Sequence, residues 1–167
     1  TIQAAIDSSA AGDTVLVACG TYTWSGEGTG DANGLLRMKN HITLRSETGQ
    51  PDCVTIDAEN LGRIIYCNNL TSIATAIEGF TITGGSASYG GGIYHLNDVT
   101  RVKNCRLHDT GYAPGVYIQE SAPEYEYCEF TNHTGGAIYT YDSPPFLTPG
   151  PEFSYCTFFN HQTVATL

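Results

Sequence analysis

Tyr127-Cys128-Glu129-Phe130-Thr131-Asn132 is one of four stretches that lie over one another. The others are Gly79-Phe80-Thr81-Ile82-Thr83-Gly84, Asn104-Cys105-Arg106-Leu107-His108-Asp109 and Tyr155-Cys156-Thr157-Phe158-Phe159-Asn160. Their starts are 25, 23 and 28 residues apart. A fixed-phase repeat of this length is the signature of a solenoid, in which each unit buries its apolar face against the next. Inside each unit the apolar residues alternate (Phe80/Ile82, Cys105/Leu107, Cys128/Phe130, Cys156/Phe158), which is the period of a strand. The chain reads as all-β, a β-solenoid.

Each unit holds three short strands, for instance 80–82, 93–96 and 100–102, then 105–107, 116–118 and 125–127. Three strands per turn, each parallel to its equivalent one turn on, make a parallel β-helix of about five turns. The second strand carries a ladder of its own: Ile65-Tyr66, Ile93-Tyr94, Val116-Tyr117 and Ile138-Tyr139 align as an inward aliphatic residue followed by a Tyr. Stacked Tyr66, Tyr94, Tyr117 and Tyr139 would each stabilise the next by about 0.5–1.5 kcal/mol, and they are also a surface on which a sugar can stack. Asn132 and Asn160, in phase with Asp109 and Gly84, form a polar ladder at the turn after the first strand.

Ahead of the repeats, residues 1–12 read as a short amphipathic capping helix. Thr1 is its N-cap, Ile2, Ala5 and Ile6 its stripe, and Gly12 its left-handed stop. A strand at 14–18 follows, then a turn at Cys19-Gly20, a Gly-rich loop at 24–34 holding the single Trp, and strands at 35–38 and 42–44. Residues 13–52 are thus the least regular turn, and 53–167 are the repeats. Four prolines between 142 and 151 predict a stiff projecting loop. The last unit ends without a capping element, so the final rung reads as open or as a point of truncation. The chain starts with neither Met nor a basic-then-apolar leader, as expected of a mature or excised segment.

The chain is 167 residues with a net charge of −10, and charged residues make up 14% of it, which suits strands and turns better than long surface helices. All Lys and Arg fall between Arg37 and Arg106, and the C-terminal part carries acids alone. That distribution repels a nucleic-acid backbone and excludes that partner. No apolar run is long enough to span a membrane as a helix.

Six cysteines raise the question of disulfides. Cys105, Cys128 and Cys156 hold one phase, so they form an inward column at the strand spacing of about 4.8 Å. In-register side chains point the same way, and the three read as small buried residues, not a bridge. Cys19, Cys53 and Cys67 have no repeat partner; a pair among them is open. Asn69-Leu70-Thr71 and Asn132-His133-Thr134 fit the N-glycosylation pattern, with Asn132 already placed in a ladder.

Thr1-Ile2-Gln3-Ala4-Ala5-Ile6, leading to Gly12-Asp13-Thr14-Val15-Leu16-Val17 and Gly20-Thr21-Tyr22-Thr23, resembles the opening of pectin-lyase-like right-handed parallel β-helix proteins. Glu78-Gly79-Phe80-Thr81-Ile82-Thr83-Gly84-Gly85 and Gly91-Gly92-Ile93-Tyr94 look like the repeats of that superfamily, and Gly135-Gly136-Ala137-Ile138 is similar to an element of bacterial polymorphic outer-membrane adhesins. The resemblance implies a right-handed β-helix. For activity it implies only a range, from polysaccharide lyases and glycoside hydrolases to tailspikes and adhesins.

Lyase chemistry of that kind removes a proton next to a uronate carboxylate, with Ca²⁺ held by acids and an Arg or Lys as base. Arg106 and Glu129 share an outward position on adjacent rungs, and Asp109 lies near the same turn, so these three are the candidate catalytic residues. Hydrolysis needs two or three converging carboxylates; Glu124 and Glu126 lie in one turn, with no acid in phase on the next. His133 and His161 are in phase but lack a third metal ligand.

Nothing in the repeat demands chemistry. The expectation is a non-catalytic extracellular or cell-surface β-solenoid with a structural, adhesive or matrix role. Its partners would be copies of itself joined end to end into filaments, other surface components, or polysaccharide. No cofactor is expected apart from Ca²⁺ under the lyase alternative. The second alternative is a glycan-binding module using Trp24, Tyr112, Tyr141 and Phe146 as stacking platforms.

Overall fold

The computed structural model describes residues 1–111, 113–141 and 150–161. Among them, three parallel sheets carry the chain. The first contains β1 (Thr14–Val17), β4 (Thr43–Ser46), β7 (Ala76–Glu78), β10 (Arg101–Lys103), β13 (Glu124–Glu126) and β16 (Glu152–Ser154). The second contains β2 (Gly20–Thr23), β5 (Val54–Asp57), β8 (Phe80–Thr83), β11 (Arg106–His108), β14 (Glu129–Thr131) and β17 (Thr157–Phe159). The third contains β3 (Leu36–Arg37), β6 (Ile65–Asn68), β9 (Ile93–Leu96), β12 (Val116–Gln119) and β15 (Ile138–Tyr141). Each strand pairs with its equivalent one turn on, as in Arg106↔Glu129 and Tyr117↔Tyr139. The result is a right-handed parallel β-solenoid of about five turns. The repeat phase read from the sequence is the register observed.

Alternation places one side chain in two inside. Val54, Ile56, Phe80, Ile82, Leu107 and Phe130 from the second sheet meet Leu36, Ile65, Ile93 and Val116 from the third, all fully buried. Short strands must then turn sharply, and the turns recruit left-handed backbone. Gly84, Asp109, Asn132 and Asn160 occupy one such position with φ of 67°, 51°, 55° and 61°. Gly, Asn and Asp are the residues that enter that region at least cost, so the ladder has a backbone origin. It also has a side-chain bond: Asn160 Nδ2 donates to Asn132 Oδ1 at 2.6 Å.

At the N-terminal end, α1 (Ile2–Ser8) lies across the first turn with Ile2 and Ile6 buried. Thr1 Oγ1 accepts from Ala4 N–H at 3.2 Å, so the N-cap is as expected. Gln3 completes the seal. Its Oε1 accepts from Arg37 N–H at 2.7 Å and its Nε2 donates to Arg37 C=O at 3.4 Å, which satisfies the edge of β3 as a further strand would. Buried Glu27 accepts from Ile2 N–H at 2.6 Å, and Lys39 Nζ donates to Ser9 C=O at 2.5 Å, so both helix ends are paired.

Some expectations need correction. The helix ends before Gly12: Ser9 is its C-cap in extended backbone, and Gly12, at φ 94°, turns the chain into β1 while donating to His41 C=O. The Gly-rich stretch holds a short helix, α2 (Trp24–Glu27). Trp24 packs between Gly30 and Gly62, where an added Cβ would come within 2.2 Å and 2.5 Å of the indole. Cys19 and Cys53 form a disulfide, with Cα atoms 4.7 Å apart. They are in-register neighbours, one residue before the Gly20↔Val54 pair, so the argument that such neighbours do not bridge is wrong: near a turn, side chains can lean toward each other. Cys67, Cys105, Cys128 and Cys156 are free thiols. Glu152 lies opposite Glu124, so an acid does recur on the next rung. Tyr112, Phe146 and residues 142–149 of the Pro-rich loop lie outside the described residues, as do 162–167 of the last unit.

Candidate functional site

The outward positions of the third sheet build the most developed surface feature. Tyr66, Tyr94, Tyr117 and Tyr139 occupy one register position on β6, β9, β12 and β15. Tyr66 and Tyr94 ring centroids are 5.5 Å apart at 52°, Tyr94 meets Tyr117 edge-on at 5.2 Å, and Tyr117 stacks on Tyr139 at 5.2 Å and 17°. Two residues along, Gln119 and Tyr141 pair in register beside them. Tyr89 closes one side, its ring edge-on to Tyr117 at 5.0 Å. All of these except Tyr66 line an open cleft of about 590 Å³.

Two layers of this cleft differ. Tyr117 is buried in the stack, whereas Tyr89, Tyr139 and Tyr141 are each about half exposed. Tyr139 is stacked on one side by Tyr117 and keeps about half of its surface exposed. Polar groups lie among the rings: Tyr94 Oη donates to Gln119 Oε1 at 2.5 Å. Burial first, and neighbouring phenols second, push the Tyr94 and Tyr117 hydroxyls upward, so they stay protonated at neutral pH.

Arg63 positions the wall. Its guanidinium lies over the Tyr94 ring at 4.6 Å and the Tyr66 ring at 5.5 Å. Its Nη2 donates to Tyr89 C=O at 2.8 Å, its Nε to Gly90 C=O at 3.2 Å, and its Nη1 to Asn33 C=O at 2.9 Å. One cation thereby holds two loops against the ladder. Burial lowers its pKa from the ordinary Arg value, while the two tyrosines oppose the shift. Sequence reasoning missed Arg63 and Tyr89, because neither repeats in phase; the ladder itself was legible.

The candidate catalytic residues are placed differently. Arg106 Nη1 pairs with Asp52 at 2.9 Å and its Nε lies 3.6 Å from Glu129. The hydrogen bond that Arg106 donates to Asp52 is the main cause raising the Arg106 pKa, the opposite of what a proton-abstracting base requires. Asp109 pairs with its neighbour His108 at 2.7 Å. Glu124 and Glu152 are both exposed, and Glu126 is tied to Lys103. The structure brings Arg106 and Glu129 together as a surface pair and leaves Asp109 in a separate one.

Two interior clusters hold metal-ligating residue types. Cys67, His95 and Asp98 are all buried within reach of one another. Both His95 nitrogens are already engaged, Nδ1 by Asp98 and Nε2 by Tyr125 Oη at 2.7 Å, and Asp98 Oδ1 accepts from Thr100 Oγ1 at 2.5 Å and from Thr100 N–H at 3.1 Å. The set is a hydrogen-bonded strut joining three turns, its His95 nitrogens and Asp98 oxygens already engaged within the protein. His133 and His161 stack at 5.4 Å with 6° between planes, so their nitrogens run parallel instead of converging. His133 Nδ1 bonds Thr110 Oγ1 at 2.7 Å, and burial, then His161, lowers its pKa to about 4.

Fold and surface together define a β-solenoid with an aromatic lateral cleft. The family model described as a right handed beta helix region matches residues 37–166, and the chain belongs to that family. Neither a curated protein nor a solved structure shows significant similarity to it.

Proposed function

We propose that this β-helix is a non-catalytic, extracellular adhesive module that holds a neutral glycan chain in its tyrosine-lined cleft. The observation that carries the reading is the pairing of exposed ring faces with uncharged hydrogen-bonding groups in one cleft: Tyr139, Tyr141 and Tyr89 beside Gln119 and the phenol hydroxyls. Sugars present apolar C–H faces and hydroxyl rims, and this surface answers both. Rungs about 4.8 Å apart repeat at about the length of one pyranose, so a chain can lie along the solenoid axis. Charge selects among glycans: the protein carries −10, which disfavours uronate polymers. The Cys19–Cys53 disulfide favours an oxidising compartment. End-to-end filament growth is the less supported reading, because α1 and Gln3 cover the first turn.

Affinity electrophoresis through gels containing soluble β-glucan, xyloglucan, galactomannan or polygalacturonate tests this. Retardation by at least one neutral polymer is expected. A Tyr139→Ala/Tyr141→Ala variant should lose about tenfold in affinity, which corresponds to about 1.4 kcal/mol. Retardation by polygalacturonate alone, or by no polymer, rejects the proposal.

A further inference from the structure

We infer that Cys128 forms a second cross-rung disulfide, with either Cys105 or Cys156, when the folded protein meets a small-molecule disulfide such as oxidised glutathione. The argument starts from register. Arg106↔Glu129 and Glu129↔Thr157 are paired, so Cys105, Cys128 and Cys156, each one residue earlier, are successive members of one column. Cys19 and Cys53 stand in the same relation, each one residue before the in-register pair Gly20↔Val54, and they are bridged. Parallel neighbours about 4.8 Å apart lie inside the Cα range that a disulfide spans.

The thiols are also placed alike. Cys105 Sγ donates to Lys103 C=O at 3.2 Å, Cys128 Sγ to Glu126 C=O at 3.5 Å and Cys156 Sγ to Ser154 C=O at 3.4 Å. Each thiol also reaches a carbonyl of the preceding rung, Ile77, Val102 and Tyr125 C=O at 3.9, 3.5 and 3.6 Å, so each sulfur already lies toward its neighbour along the column. The Cys105 thiol beside it is the main cause that pushes the Cys128 thiol up. Raised thiols react slowly, because the thiolate is the nucleophile, and this agrees with the thiols being free until an oxidant is supplied.

Cys156 is the least buried of the three and is the point of entry. Its thiolate attacks oxidised glutathione, forming a Cys156–glutathione mixed disulfide and releasing one reduced glutathione. The Cys128 thiolate then attacks the Cys156 sulfur, closing Cys128–Cys156 and releasing the second. Two protein thiols are oxidised and one glutathione disulfide is reduced, with both protons ending on glutathione. Attack by Cys105 on Cys128 then moves the bridge one rung inward and frees Cys156. Because Cys128 is the shared member, the two bridges exclude each other.

The test equilibrates the full chain in glutathione buffers of increasing oxidised fraction, blocks remaining thiols with N-ethylmaleimide and maps peptides without reduction. Under reducing conditions four thiols are blocked and Cys19–Cys53 is intact. Under oxidising conditions the blocked thiols should fall to two, with Cys128 linked to Cys105 or Cys156. Cys105→Ser should leave only Cys128–Cys156, Cys128→Ser no second bridge, and Cys156→Ser, which removes the least buried, entry thiol, only a Cys105–Cys128 bridge that forms more slowly than the wild-type bridge. If Cys128→Ser fails to fold, the other two variants decide alone. Four blocked thiols at every buffer composition, glutathione retained on Cys156 with no internal bridge, or a bridge to Cys67 would each overturn the inference.

Discussion

Acidification should loosen this solenoid at one identifiable place. His133 is fully buried, flat against Gly115, where an added Cβ would sit 2.7 Å from the ring, and stacked on His161. Burial is the main cause that lowers its pKa from 6.5 to about 4, and the His161 ring adds to it. His108 on the preceding rung acts in the same direction, whereas the Leu107 main chain and then Asp109 act against it. Above pH 6.5 both folded and unfolded His133 are neutral, and the group contributes its full share. As pH falls from about 6.5 to about 4 the unfolded chain takes up a proton that the fold refuses, so stability drops. At about 1.4 kcal/mol for each pKa unit the loss comes to about 3 kcal/mol, and below pH 4 this group costs nothing more.

Carboxylates titrate in the same window, so the measurement is a difference. Urea unfolding at several pH values between 8 and 3.5 is compared for the wild type, His133→Phe and His133→Asn. Both variants should lose less stability on acidification, by about 3 kcal/mol relative to wild type. In NMR the His133 ring should stay neutral until close to pH 4. A ring that titrates near 6.5, or equal pH slopes in wild type and variants, would refute the reasoning.

Three further outcomes are expected. Gly85→Ala places a Cβ 2.0 Å from the Gly91 carbonyl oxygen, a backbone contact that cannot yield, and should cost about 3 kcal/mol or more in urea unfolding. Asn132, at φ 55°, should tolerate Gly with little change, whereas Asn132→Val should lower stability by about 1–2 kcal/mol; equal stabilities would remove the backbone explanation of the ladder. Gln3→Ala should cost about 1–2 kcal/mol and speed hydrogen exchange at the Arg37 amide, which the Gln3 side chain now protects; unchanged exchange there would mean that another group seals β3.

What the sequence determined by itself is the part of the molecule that repeats. Alternation at Phe80/Ile82, Cys105/Leu107 and Cys128/Phe130 is a local property of each strand, and stacking identical units converts it directly into register. Gly84, Asp109, Asn132 and Asn160 were legible for the same reason, since a left-handed turn is a demand on one residue. The tertiary structure decided whatever joins segments that do not repeat. The Cys19–Cys53 bridge spans 34 residues, and Arg63 reaches from its own rung to Asn33 and Tyr89. Gln3 takes the place of a missing strand beside Arg37, and Trp24 fills a gap left by two glycines. The aromatic cleft belongs to this second class. Its tyrosine floor follows from periodicity, but its wall and its half-exposed rim depend on how two loops are pinned across the sheet. Periodicity propagates along the chain, whereas loop closure is set by contacts between residues tens of positions apart, and a pattern within one strand carries no information about them.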